Sequence, residues 1–319
     1  MSLPSIYTDE TAAREHLEAL QWPEGIVCPH CGNVDQARIK PLQGKSTRPG
    51  VYKCNECRKP FSVTVGTVFE RSHIPLHKWL YATHLMTASK KGISAHQLHR
   101  TLKVTYKSAW FMAHRIREAM ADNVRGPMGG EGQIVEADET YFGPIETAKK
   151  RTKTTSGRKF TKSGRTGPSN KRPIVSLVER GGRVRSFHVA SADKDNVTKI
   201  VRENIDRDSR LHTDESRLYH GSELHFASHE TVKHSAKEYV RGDVHTNSAE
   251  GYFSIFKRGM RGVYQHCKEK HLHRYLAEFD FRYNNRIALG VNDMERADNA
   301  TKAIRGKRLT YRRTNESLV

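Results

Sequence analysis

Two kinds of side chain in this sequence recur at spacings that can do chemistry. The first is cysteine. Cys28-Pro29-His30-Cys31 is followed, after 22 intervening residues, by Cys54-Asn55-Glu56-Cys57. Each C-x-x-C turn brings two thiolates to the tip of a knuckle, and two knuckles supply the tetrahedral sulfur shell that Zn²⁺ prefers. Four ligands close that shell, so Cys28, Cys31, Cys54 and Cys57 are expected to hold a structural zinc with no position left for metal-based catalysis. A redox role for one pair would leave the other surplus. His30, inside the first knuckle, reads as a bystander, and Cys267 as an isolated half-buried thiol.

The second kind is acid. Asp138 ends a strand-like segment, 133–138, and Asp214 ends another, 210–214. Both can therefore project from one edge of a sheet. Glu250 lies in 247–257, where Ala249, Tyr252, Phe253, Phe256 and Met260 fall on one helical face and Asn247, Glu250, Ser254 and Lys257 on the other. Alone, such acids repel a phosphate backbone. With two Mg²⁺ (or Mn²⁺) ions about 3.5–4 Å apart the sign reverses, one ion serving the attacking oxygen and the other the leaving oxygen of a phosphoryl displacement. Separated acids are also what a solvated surface or a set of salt-bridge partners provides, and spacing alone does not choose between these readings.

The elements that must position these groups fall into four segments. Residues 1–70 form the ribbon, with strands expected at 51–53 and 61–65 around the second knuckle. Residues 71–125 read as three helices. Leu76, Trp79, Leu80 and Thr83 recur at helical spacing, and Ser94 and Thr105 look like N-caps of two further helices. The last of these has Ala109, Met112, Ala113 and Ile116 on one side and Lys107, His114 and Arg117 on the other. Short helix, tight turn and basic helix resemble a helix-turn-helix, with Lys107 and Arg117 toward DNA; a helical linker with a solvated basic face has the same pattern.

Residues 130–290 read as an α/β domain, with strands at 133–138, 173–178, 184–189 and 210–214 and a helix at 195–205. Gly181-Gly182 makes the second and third strands a hairpin. Hairpin, helix and strand in that order suit a ribonuclease H-like sheet, although other α/β folds share part of it. The insertion 144–172 contains ten Lys or Arg and one acid. It has too little apolar surface to order itself, and suits either a clamp on a phosphate backbone or a solvated loop. Residues 291–319 read as a basic tail carrying Arg305, Lys307, Arg308, Arg312 and Arg313.

In its 319 residues the chain has 55 Lys and Arg against 35 Asp and Glu, a formal charge of +20. That excess points to a polyanion, with nucleic acid first, because phosphate neutralisation releases counterions. No apolar run is long enough for a transmembrane helix, and the N-terminal residues lack the basic-then-apolar profile of a signal peptide. With only five cysteines, four of them in the two pairs, a disulfide framework is not expected.

Glu136-Ala137-Asp138-Glu139-Thr140-Tyr141-Phe142-Gly143, His212-Thr213-Asp214 and His245-Thr246-Asn247-Ser248-Ala249-Glu250 with Lys257-Arg258 together resemble the DDE transposases of the IS1595 type, which carry an ISXO2-like catalytic domain. Lys270 to Phe279 and Phe281 to Arg286 extend the likeness, and the N-terminal zinc ribbon is typical of that group. The 35 residues between Asp214 and Glu250 also match the spacing of DDE enzymes. The resemblance implies Asp138, Asp214 and Glu250 as Mg²⁺-binding catalytic carboxylates. It implies Lys257 and Arg258 as contacts to the DNA backbone, and Asn247, one turn before Glu250, as a substitute or supporting ligand. It further implies an insertion-sequence transposase that hydrolyses a phosphodiester at the element's end and joins the freed 3′-OH to target DNA. Such an enzyme would work on double-stranded DNA in the bacterial cytoplasm, without a membrane, as a homo-oligomer, most simply a dimer. Two other functions fit the same residues: a zinc-ribbon and helix-turn-helix regulator without catalysis, and a ribonuclease H-like nuclease without strand transfer.

Overall fold

The computed structural model describes residues 3–121, 126–145, 152–153, 159–160, 170–236 and 238–310. The chain forms two compact units, one joining Met1–Ala121 to Asn285–Val319 and the other made of Asp122–Asn284.

The first unit opens with helix α1 (Glu10–Gln21), for which the sequence reading made no provision. Asp9 caps it by accepting from the Ala12 N–H at 2.7 Å, and Ala13 and Leu17 are buried along it. The cysteine segment follows as a three-stranded antiparallel sheet, β1 (Ile39–Pro41), β2 (Val51–Cys54) and β3 (Pro60–Ser62). Its small core is Cys28, Ile39, Cys54 and Phe61, with Trp22 edge-on to Tyr52 and Phe61. Three helices come next: α2 (Leu76–Ala88), α3 (Ala95–Leu102) and α4 (Tyr106–Met120). Ser94 and Thr105 cap the last two as expected, accepting from Gln97 N at 3.1 Å and Ser108 N at 3.2 Å.

The second unit is built on an 11-residue strand, β4 (Ile134–Pro144). Within the basic insertion two short strands, β5 (Thr152–Lys153) and β6 (Lys159–Phe160), pair antiparallel, and most of that insertion lies outside the described residues. Strands β7 (Lys171–Glu179) and β8 (Val184–His188) then form the expected hairpin, its turn closed by Gly181 at φ 73°. Helix α5 (Lys194–Asn204), strands β9 (Arg210–Asp214) and β10 (Ser228–Val232), and helices α6 (Asn247–Gly259) and α7 (Leu272–Asn284) complete the unit.

The five-stranded sheet has the order β10-β9-β4-β7-β8. β7 is antiparallel to both β4 and β8, whereas β9 runs parallel to β4 and β10 parallel to β9. β7 is apolar without alternation because both its faces are covered. Ile174 and Val178 pack with Phe253, Phe256, Leu272 and Leu276 of α6 and α7. Val175 and Leu177 pack with Val135, Ala137 and Leu211 against Val197 and Val201 of α5. The two-residue alternation of a strand then assigns faces. Glu136, Asp138, His212 and Asp214 lie on the α6–α7 face, and Glu139 on the opposite face.

The remaining helix, α8 (Asp293–Lys302), corrects the reading of 291–319 as a tail. Asn292 and Glu295 form a capping box at its start. Ala297, Ala300 and Ile304 are buried, and the Lys307 ammonium donates to the carbonyls of Ala119 and Ala121, both at 2.7 Å. Lys307 therefore satisfies the open carbonyls that end α4. Arg312 and Arg313 lie outside the described residues.

The same packing corrects α4. Enclosed by α2, α3 and α8, it buries residues nearly all the way round. Lys107 is exposed, but His114 and Arg117 are only 1% and 3% exposed, so Arg117 does not face DNA from a solvated helix surface. Among the described residues no helix is long and apolar enough to cross a membrane.

Ending the chain at Gly290 removes α8 and uncovers α2 and α4. Limited proteolysis is expected to cut within 76–120 at least tenfold faster than in the full chain; equal protection would show that α8 is dispensable to this unit.

Candidate active site and metal centre

The cysteine centre is built by two turns, each ending in a left-handed residue directly after its second cysteine: Gly32 at φ 75° and Arg58 at φ 61°. Cys28 N donates to Asn33 O and Gly32 N to Cys28 O, both at 2.9 Å, closing the first knuckle. The Sγ atoms of Cys28 and Cys57 are 3.7 Å apart, as are those of Cys31 and Cys54. All four lie within 4.8 Å of one another. A tetrahedron with Zn–S bonds of about 2.3 Å has sulfur–sulfur edges of about 3.8 Å, so the cluster fits zinc without rearrangement. Asn33 Nδ2 lies 3.6 Å from Cys54 Sγ and orients a ligand. His30 pairs with the Pro60 carbonyl at 3.3 Å and stays out of the set.

The acids lie in the other unit. The paired register of β4 and β9 ends at Glu136 opposite His212. Two residues further along each strand stand Asp138 and Asp214. Neighbouring strands lie about 4.8 Å apart, so the two aspartates emerge side by side from one sheet edge. Burial and the nearby carboxylates of Glu139, Asp214 and Glu250 push the Asp138 carboxyl up to about 8. All these acids thus share one electrostatic neighbourhood. The oxygens of Asp138, Asp214 and Glu250 do not all close to within 4.8 Å; among the described residues the cysteine cluster is the group that does.

Glu250 sits exposed on the first turn of α6, with Asn247 exposed one turn earlier. The buried face of that helix is Ala249, Tyr252, Phe253 and Phe256, as its periodicity requires. Lys257 is half-buried over the Phe253 ring at 5.9 Å; burial lowers its ammonium pKa, and Asp138 opposes that shift. Arg258 is exposed and donates to the Ser254 carbonyl at 3.2 Å. Glu139 turns away from this face and accepts from Tyr219 Oη at 2.9 Å and Ser216 Oγ at 3.3 Å. Burial, followed by the Asp214 charge, raises its pKa as well.

One residue went unremarked in the sequence. Glu136, fully buried on β4 two positions before Asp138, accepts from Arg180 Nη2 at 2.9 Å, Ser248 N at 2.8 Å, Ser248 Oγ at 2.9 Å and Ala249 N at 3.1 Å. The available signal was an acid flanked by Ile134, Val135 and Ala137, since a buried charge needs partners.

Residues 129–284 match the ISXO2-like transposase domain and residues 8–60 the transposase zinc-ribbon domain, together about two thirds of the chain. The chain belongs to the IS1595 transposase family. It is also 29% identical, over 282 residues, to an uncharacterized protein in the transposable element ISH50 of Halobacterium salinarum, a match covering 86% of this chain and 91% of the relative.

Two outcomes follow from these geometries. Cys54→Ser should abolish stoichiometric zinc and unfold residues 26–62, seen as metal content near zero and loss of ordered amide signals there; retained zinc would refute the ligand set. For Asp138 the folded-state pKa is raised, so its contribution to stability is full below about 4 and is lost as pH rises through about 8. Without divalent ions, the urea midpoint should fall over that window, and Asp138→Asn should flatten the fall. A wild-type slope in the variant would contradict the raised pKa.

Proposed function

We propose that this chain is the DNA transposase of an insertion sequence. It binds the element's ends and cleaves and joins DNA through Asp138, Asp214 and Glu250, the carboxylates that hold Mg²⁺ or Mn²⁺. The observation that carries the reading is the β4–β9 register, whose last pair, Glu136 with His212, stands two residues before Asp138 and Asp214 on the face covered by the helix bearing Glu250. Three antiparallel strands with two parallel strands beyond the first of them is the order of a ribonuclease H-like sheet, and supports that fold for this unit.

Divalent ions at this edge supply the positive charge that offsets the attacking and leaving oxygens of the phosphoryl transfer. The donor set suits them, because crowded carboxylates are hard ligands whose mutual repulsion a cation relieves. Glu250 has three rotatable side-chain bonds on an exposed turn, so it closes on the aspartates by changing rotamer. Asn247 offers a neutral carbonyl from the same turn. Lys257 and Arg258, with Arg261 and Lys171 in the same electrostatic neighbourhood, grip the phosphate backbone entering the site. Lys107, an exposed residue near the start of the otherwise enclosed α4, gives a further backbone contact in a helix-turn-helix-like segment. Water first cleaves the P–O3′ bond at the element's end and frees a 3′-OH. That hydroxyl attacks a target phosphodiester, forming one P–O bond and breaking another. The two-ended reaction calls for a dimer on DNA.

Asp138→Asn is expected to reduce cleavage of end DNA by at least 10³-fold while leaving end binding within about twofold, because the phosphate contacts are elsewhere. Gel assays of nicking and of mobility on the same substrate check both; cleavage near the wild-type rate would sink the assignment.

A further inference from the structure

Helix α6 receives no cap from its own N-cap side chain, although Asn247 N donates to His245 Nδ1 at 3.4 Å. Thr246 occupies the N-cap position, but its side chain makes no capping hydrogen bond. The first turn nevertheless has its amides satisfied. Ser248 N and Ala249 N both donate to Glu136 Oε2, at 2.8 and 3.1 Å, and Ser248 Oγ donates to Oε1. The cap therefore comes from a strand 112 residues earlier in the chain. It carries a full negative charge to the positive end of the helix, where anions are favoured.

The carboxylate is held in turn. Arg180 donates to it through Nε at 3.1 Å and Nη2 at 2.9 Å. The same guanidinium donates to the Asp243 carbonyl at 2.8 Å and the His245 carbonyl at 3.2 Å, on the segment leading into α6. His245 Nδ1 lies 3.3 Å from Oε1. With no exposure of its own, Glu136 depends on these partners to offset its burial.

We infer that Glu136 is the positioning residue that fixes the first turn of α6, and with it Glu250, against the sheet edge bearing Asp138 and Asp214. The inference rests on the carboxylate site proposed above. Glu136 stands two residues before Asp138 on the same strand face, while its acceptors bind the two residues directly before Glu250. One side chain thus sets the spacing between both halves of the ligand set. It touches no substrate and no reacting atom. Outer contacts of this kind typically alter metal affinity by about 10–100-fold.

The test is Mn²⁺ binding to the full-length, zinc-loaded chain, followed by electron paramagnetic resonance. Glu136→Gln retains the shape but turns an amide NH₂ toward donors. It should weaken Mn²⁺ binding by about tenfold or more with zinc content unchanged, and amides 248 and 249 should exchange faster. Wild-type Mn²⁺ affinity in the folded variant would overturn the inference. If Glu136→Gln fails to fold, Ser248→Ala, which removes only the hydroxyl donor, should weaken Mn²⁺ about two- to threefold; no change there would equally overturn it. Asp138→Asn in the same titration separates the two ideas. Wild-type affinity in Asp138→Asn removes the carboxylate site itself and the inference with it. Lost affinity there, combined with unchanged affinity in Glu136→Gln, removes the positioning role alone.

Discussion

Carboxylates crowded into a half-buried edge repel one another, and the second unit is organised around that constraint. Asp138 and Asp214 follow two residues beyond the last pair of the parallel β4–β9 ladder, Glu136 with His212, and each feels the other's charge. Each is flanked by a residue of the opposite face that is itself occupied: Glu139 by Tyr219 and Ser216, and Thr213 by His229 at 2.9 Å. A sheet so loaded is stable only if the apolar layers on both sides supply enough burial. They do so through a continuous cluster from Ile174 to Phe279 on one face and from Val135 to Phe226 on the other. The electrostatic cost at the edge is therefore carried by ordinary packing beneath it, the usual arrangement where function requires a locally unfavourable group.

Apolar packing holds α6 and α7 on the sheet but does not fix their sliding position. Buried, charged hydrogen-bond networks do that, since charge-assisted bonds are short, directional and strong. Glu136 fastens α6. Asp280 fastens α7, accepting from Ser186 N at 2.8 Å and Ser186 Oγ at 2.7 Å, while Tyr252 Oη of α6 bonds to the same carboxylate. The two helices thus share a polar tie to β8 as well as an apolar seam. Breaking either carboxylate would leave several buried donors unmatched, a larger penalty than the bond itself is worth.

What could be read from the amino-acid order, and what could not, follows from the range of the interactions. The cysteine pairs were legible because knuckle geometry is local. The strands ending at Asp138 and Asp214, the Gly181 hairpin and the faces of α6 were legible from two- and 3.6-residue periodicity. Ser94 and Thr105 were legible because an N-cap reaches only three residues ahead. The failures are long-range. Periodicity put Arg117 on the polar side of α4, but that helix is also enclosed by α8, which arrives from nearly 180 residues away. That helix was itself hidden by its polarity: apart from Met294 its non-polar side chains are alanines, too small to mark a face. Glu136 was overlooked for a related reason. Nothing near it signals a cap, and the helix it serves lies more than a hundred residues downstream.

The zinc centre and the proposed carboxylate site differ in a way that explains their separate architectures. A thiolate shell that already has the edge lengths of a zinc tetrahedron gains rigidity from its ion and offers it no open position. It can be built from two short turns because every ligand comes from within thirty residues. A hard-oxygen site for phosphoryl transfer must instead leave coordination positions to water and phosphate, so it needs few protein ligands and cannot be knitted together by the ion alone. Its ligands must be brought from distant segments and held by something other than the metal. In the site proposed for this chain, the parallel ladder leads into the two aspartates, and the buried Glu136–Arg180 pair fastens the helix that carries Glu250. Rigidity supplied from behind the site is what allows the front of it to stay open.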